Sequence, residues 1–217
     1  MNRKARAAAA VIMAMSLMTG CSSAQSSSGS KASATGAVIN QEEMDENFKD
    51  VPDLEGEGAK ISLSNTTAKA GELAEVKMFV DNADQQWNMC GIHIIYPDIL
   101  KPEMIDPEER TVDFTKGSAL ASATGFVCME WQNGLPQVLT DNKKGSIFFT
   151  CMFTGNQGGD GDIATFHFKV PDNAEHGTVY NLGYYYMPTD LFTNEQNIPS
   201  FQKYAFTHLQ GGTITVE

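Results

Sequence analysis

The stretch Ala164-Thr165-Phe166-His167-Phe168-Lys169-Val170 decides how this chain folds. Phe166, Phe168 and Val170 alternate with Thr165, His167 and Lys169, a period of two that puts one set on each side of an extended strand. The same alternation runs through 60–64, with Ile61 and Leu63, and through 75–80, with Val76, Met78 and Val80. Further strand-like runs occupy 91–96, 126–131, 146–153, 178–186 and 212–216. Turn-forming clusters separate them, among them Pro97-Asp98, Asp141-Asn142, Gly158-Gly159-Asp160-Gly161 and Pro171-Asp172-Asn173. No segment of ten or more residues carries a helical period. Many short strands divided by turns predict an all-β protein, a sandwich of two sheets.

Upstream of these strands the composition changes twice. Arg3, Lys4 and Arg6 precede an apolar run from Ala7 to Met18, broken only by Ser16, which is the charge-then-apolar order of a secretory signal peptide. About a dozen residues is too short for a helix to cross a hydrocarbon core of roughly 30 Å. Met18-Thr19-Gly20-Cys21 resembles a bacterial lipobox, in which small residues precede the cysteine that receives lipid and becomes the mature N-terminus. The expected domain division is therefore a lipoprotein signal peptide at 1–20, with cleavage near Ala24 as the alternative. Residues 22–36 hold seven serines with Gly29 and Gly36 and no branched aliphatic or aromatic residue, so they cannot build a core. Residues 38–58 carry eight carboxylates against one lysine and read as extended chain, with a short helix near 42–48 as the alternative. A flexible tether at 21–58 would have an r.m.s. span of roughly 30 to 35 Å. It would hold a sandwich domain at 59–217 clear of a membrane to which the protein is fixed by lipid on Cys21, facing the exterior.

Removal of residues 1–20 takes out three basic side chains and changes the net charge from -12 to -15. Such a surface repels nucleic-acid phosphates and gives no electrostatic basis for binding them. Cys90, Cys128 and Cys151 remain after Cys21; each sits in an apolar segment and reads as a buried thiol, one disulfide plus one thiol being the alternative.

A search for chemistry finds little. His93, His167, His176 and His208 are scattered, with no HExxH, no GxSxG elbow, no P-loop and no Cys/His spacing for zinc. His167, opposite in parity to Phe166 and Phe168, reads as a solvent-facing residue. Asp160-Gly161-Asp162 and Asp81-Asn82-Ala83-Asp84 space oxygen ligands as calcium loops do, yet neither continues into an EF-hand, so both read as polar turns. Glu130, beside Trp131 in a strand, is the one acid that a surface hydrolase could use, and no second acid is identifiable.

More informative are apolar residues where alternation should leave none. If Ile92, Ile94 and Tyr96 face a core, His93 and Ile95 face outward; if Ile147, Phe149, Cys151 and Phe153 are buried, Phe148, Thr150 and Met152 lie on the other side. An outward face carrying Ile95, Phe148 and Met152 is the mark of a contact surface.

At these residues the chain resembles a cohesin, the receptor module of cellulosome-type assemblies. Four stretches carry the likeness: Ala70-Gly71-Glu72 leading into 76–80; "CGIHIIYPDIL" from Cys90 to Leu100; "GDIATFHFKV" from Gly161 to Val170, followed by Ala174 and Gly177; and the closing "GGTITV" from Gly211 to Val216. Tyr96-Pro97-Asp98 inverts the usual Asp-Pro order, and the loop at 155–161 is short for the family. The resemblance implies a nine-stranded jelly-roll sandwich that performs no chemistry and needs no cofactor or metal of its own. It also implies a flat sheet face that grips dockerin modules of secreted enzymes or scaffoldins, with calcium in the dockerin. On that face the expected contacts are Ile95, Phe148 and Met152 as apolar anchors, Trp131, Tyr184 and Tyr186 as aromatic contacts, and His93 and Thr150 as polar ones. A carbohydrate-binding module stacking sugars on Trp131 and the Tyr184-Tyr185-Tyr186 run is the alternative.

Overall fold

The computed structural model of the protein describes residues 38–131 and 135–217. The expected signal peptide, Cys21 and the serine-rich part of the tether lie outside these residues. Among the described residues the order is helix α1 (Gln41–Phe48), then strands β1 (Lys60–Leu63), β2 (Asn65–Ala68), β3 (Leu73–Asp81) and β4 (Met89–Pro97). Four short strands follow: β5 (Lys101–Pro102), β6 (Met104–Asp106), β7 (Thr111–Val112) and β8 (Phe114–Lys116). Next come β9 (Gly125–Glu130), helix α2 (Gln137–Asp141), β10 (Lys144–Met152), β11 (Gly161–Lys169), β12 (Val179–Tyr184) and β13 (Leu191–Thr193). Helix α3 (Pro199–Thr207), β14 (Leu209–Gln210) and β15 (Gly212–Val216) close the chain.

The strands form the expected two-sheet, jelly-roll sandwich. A six-stranded sheet has the order β14-β1-β3-β11-β5, with β8 also paired to β11. A nine-stranded sheet has the order β2-β15-β12-β4-β10-β9-β7-β6, with β13 also paired to β4. Every long run that alternates in the sequence is a strand, because the apolar half of each has a core to face. Ile61, Leu63, Val76, Met78, Val80, Phe166 and Phe168 line the six-stranded side, while Cys90, Ile92, Ile94, Tyr96, Ile147, Phe149 and Cys151 line the nine-stranded side, and all are buried. Cys90, Cys128 and Cys151 are free and buried. One end of the core is closed by Trp87, whose ring packs against Phe153 at 5.0 Å and Phe192 at 5.1 Å between centroids. A Cβ at Gly158 would lie 2.2 Å from the Trp87 ring, so only glycine fits over it.

The acidic segment differs from the sequence expectation. Residues 41–48 form α1, and the folded part begins no later than Val38, which bridges to Tyr184, instead of at 59. The cause is Met44 and Phe48, four residues apart and so on one helix face, both buried. Phe48 packs on Tyr186 at 5.7 Å and Phe206 at 6.3 Å. Asn40 fixes the start, its Oδ1 accepting from Tyr186 N at 2.9 Å. Six of the eight helix residues are exposed, which is why the charge count alone read as tether.

If α1 belongs to the folded unit, Met44→Ala lowers unfolding stability by about 2–5 kcal/mol, the usual result of emptying a buried methionine site. Glu46→Ala, which removes an exposed ion pair with Lys49, changes it by less than about 1 kcal/mol. Chemical denaturation of both variants checks this.

Candidate functional site: the outward face of the nine-stranded sheet

β4 and β10 pair over nine residues, from Lys144 opposite Pro97 to Met152 opposite Met89. β9 continues the sheet, with Phe148 opposite Met129, Thr150 opposite Val127 and Met152 opposite Gly125. On the other side β13 places Leu191 opposite Gly91 and Thr193 opposite Met89. Directly opposed residues share a face, so the outward side is a set of rows. One row holds Thr193, Met89, Met152 and Gly125; the next holds Leu191, Gly91, Thr150 and Val127; the third holds His93, Phe148 and Met129.

This face is divided into a sealed and an open part. Ile95 is only 3% exposed, against the expectation that it stands free. The segment between β9 and β10 folds back as α2, and Leu139 closes over Ile95 together with Tyr185, Leu135 and Met187 in a second small apolar cluster. His93 is also buried, contrary to expectation. Its Nδ1 lies 2.7 Å from Asp190 Oδ1, its ring packs on Phe148 at 4.8 Å and Trp131 at 5.3 Å, and its Nε2 has no hydrogen-bond partner. Burial pushes the Asp190 carboxyl above its ordinary range, and the hydrogen bond and charge of His93 oppose that shift. Asp190 Oδ2 also accepts from Met187 N at 3.1 Å, so Asp190 pins the 185–190 loop over the sheet through its contact with His93.

The tyrosine run departs further from expectation. Tyr184 pairs with Ile94 and so points into the core, where it is fully buried. Tyr186 is 1% exposed beneath α1 and α3, with Asn47 Nδ2 donating to its hydroxyl. Neither can be a surface contact. Tyr185 is covered as well, so the run supplies no platform of rings for a sugar.

The open part retains Trp131, Phe148 and Thr150, each half-buried, and Met152, 45% exposed. The Thr150 hydroxyl donates to Cys90 O at 2.8 Å. The face also holds residues not singled out from the sequence: Val127, 49% exposed, and half-buried Met89, Met129 and Leu191. Val127 and Met129 could have been found, since they alternate with Cys128 in β9. Leu191 could not, because a three-residue strand has too little pattern to read. Phe126, also exposed, stacks edge-on to Phe114 at the sheet's far margin.

Other sequence candidates resolve into structure. Glu130 Oε1 accepts from the Tyr96 hydroxyl at 3.2 Å. It lines a cleft of about 390 Å³ together with Asp98, Lys101 and Lys144. Asp160 Oδ1 accepts from Ala83 N at 2.8 Å, and Asp162 pairs with Lys77 at 2.9 Å. The two calcium-like loops thus serve as turns that bind one another.

Solved structures share this architecture, two of them as follows. A type III cohesin module from the cellulosomal ScaE cell-surface anchoring scaffoldin of Ruminococcus flavefaciens superposes with a TM-score of 0.60 at 24% identity, covering 74% of this chain and 88% of that module. The sixth cohesin of scaffoldin B from Acetivibrio cellulolyticus, in complex with a mutant Cel5 dockerin, gives a TM-score of 0.50 at 14% identity, covering 74% of this chain and 100% of that one. No protein-family model matches the sequence, and no curated protein does. The likeness establishes the fold as that of the cohesin modules.

Because Asp190 holds both His93 and the covering loop, Asp190→Ala should destabilise the protein by about 3–5 kcal/mol, as removal of one partner from a buried pair does. Thermal or denaturant unfolding measures the loss.

Proposed function

We propose that this protein is a non-catalytic receptor for dockerin modules, held at the cell surface by lipid on Cys21 and taking part in a polysaccharide-degrading assembly. The observation that carries the reading is the open strip of Met89, Val127, Met129, Phe148, Met152 and Leu191 on the nine-stranded sheet. Exposed apolar side chains this close together mark contact surfaces, and three methionines give the strip side chains that can repack around a partner. Trp131, Phe148, Thr150 and Met152 remain in the contact set; Val127, Met129, Met89 and Leu191 replace Ile95, His93, Tyr184 and Tyr186. The fold supports this use, since the Acetivibrio cellulolyticus cohesin of the same architecture is seen in complex with a dockerin.

Calcium belongs to the dockerin in this reading, so a chelator abolishes the interaction by unfolding the partner. With α1 part of the domain, the proposed link between Cys21 and the domain shortens to 21–37. The acidic domain would be repelled by an anionic lipid surface and so kept available to partners.

Val127→Asp and Met152→Asp should each weaken binding to a cognate dockerin by at least about 30-fold, equivalent to about 2 kcal/mol, while unfolding shifts by less than about 0.5 kcal/mol. Leu73→Asp, at an exposed apolar residue of the other sheet, should leave binding unchanged. Calorimetry against a panel of dockerins, with and without chelator, tests the reading; no heat with any of them overturns it. Separately, intact-mass spectrometry should find acylated Cys21 as the first residue, and Cys21→Ala should move the protein from the membrane to the soluble fraction.

A further inference from the structure

Where the chain crosses between the two sheets, three metal-ligating side chains converge from separate segments. His167 is on β11, Glu103 lies between β5 and β6, and Asp113 lies between β7 and β8. Their ligand atoms all fall within 4.8 Å of one another. The backbone holds them in place: Glu103 N donates to His167 O at 2.8 Å, and Asp113 N donates to Glu103 O at 2.8 Å. Both carboxylates stand at crossovers, since β5 and β8 belong to the six-stranded sheet and β6 and β7 to the nine-stranded one.

His167 Nδ1 is buried and has no hydrogen-bond partner, although the Glu103 carboxylate faces it at 4.0 Å. His93, by contrast, closes on its aspartate to 2.7 Å. At His167 no such contact forms, and Glu75, its register partner on β3, adds another carboxylate to the same face. An unpartnered buried ring nitrogen facing two carboxylates is a donor set for a cation.

We propose that Glu103, Asp113 and His167 bind a divalent transition ion of the zinc class. An imidazole ligand disfavours calcium and magnesium, which take oxygen, and suits zinc. Zinc bonds of about 2.0–2.2 Å place neighbouring ligand atoms about 3.3 Å apart. The closure this requires is available to Glu103, whose side chain is 44% exposed and free to turn. Three protein ligands leave a position open to solvent. The bound ion would clip both sheet crossovers to β11, and so act as a structural site outside the open apolar strip.

The test is zinc titration of the full mature protein, free of affinity histidines, by calorimetry and thermal unfolding, with cobalt absorption as a coordination readout. One equivalent of zinc should bind and raise the melting temperature, and cobalt should give a visible spectrum of nitrogen and oxygen ligation. His167→Ala and Glu103→Gln should each weaken zinc by more than about tenfold. Glu103→Gln, at an exposed side chain, decides the matter should His167→Ala fail to fold. A double variant of the exposed His176 and His208 should bind as the wild type does. Absence of binding, binding that survives Glu103→Gln, or binding lost in the double variant overturns the proposal.

Discussion

The nine-residue pairing of β4 with β10 is the constraint on which the rest of the molecule depends. Once Cys90 stands opposite Cys151, every other pair is set: Ile92 with Phe149 and Ile94 with Ile147 point inward, while His93 with Phe148 and Met89 with Met152 point outward. A slip of one strand by a single residue would exchange its two sets. Phe149 and Ile147 would leave the core, each giving up about 1.5–3 kcal/mol of burial, and the set Ser146, Phe148 and Thr150 would turn inward, two of them with hydroxyls to satisfy. The core therefore selects one register, and the outward face is whatever that register leaves over.

What it leaves over is apolar, and the molecule treats the two halves differently. At Ile95 the surplus is covered from within the chain, by Leu139 of α2 and by the loop that Asp190 ties to His93. At Met89, Val127, Met129 and Met152 the described residues form no such covering cluster. The sealed half has a mechanical consequence for the open half. His93 packs on Phe148 and Trp131 at the boundary, so these rings rest on a buried, hydrogen-bonded residue while their far sides stay accessible. A face of this kind combines rigid aromatics at one margin with adaptable methionines at the other.

The fold was legible because its signal is local: each long strand declares itself by alternation within six to nine residues. The outward face was legible only in part. Alternation tells which side of a strand a residue takes, and it placed Phe148, Thr150 and Met152 correctly on the side away from the core. It does not tell what lies on top. Ile95 and His93 are outward by parity, and they are buried by α2 and by the loop of Asp190, the latter 97 residues away in the sequence, which no pattern in β4 can report. Tyr184 and Tyr186 were misplaced for a different reason, since three consecutive tyrosines contain no apolar–polar alternation to read. The acidic segment hid α1 because the helix needs only Met44 and Phe48 to dock. His167, Glu103 and Asp113 lie too far apart in the chain for any spacing rule to join them.

The far margin of the open face is its weakest part, and that bears on how the two sheets cooperate. β7 is two residues long and meets β9 through the single pair Thr111 and Met129, while β6 meets β7 across a register shift. Ladder bonds this few cannot by themselves hold β6 and β7 beside β9, which is itself fixed by its six-residue pairing with β10, since short edge strands gain little from pairing. Position at this margin is instead set from the other sheet. β8 pairs with β11 over three residues, β5 pairs with it over two, and the crossovers between them are stapled through Glu103 and Asp113 to the β11 backbone. β11 in turn is locked to β3 along nearly its whole length. The margin of the open face beyond β9 is thus held from the six-stranded sheet, and changes at the 103 and 113 crossovers reach that margin through β6 and β7.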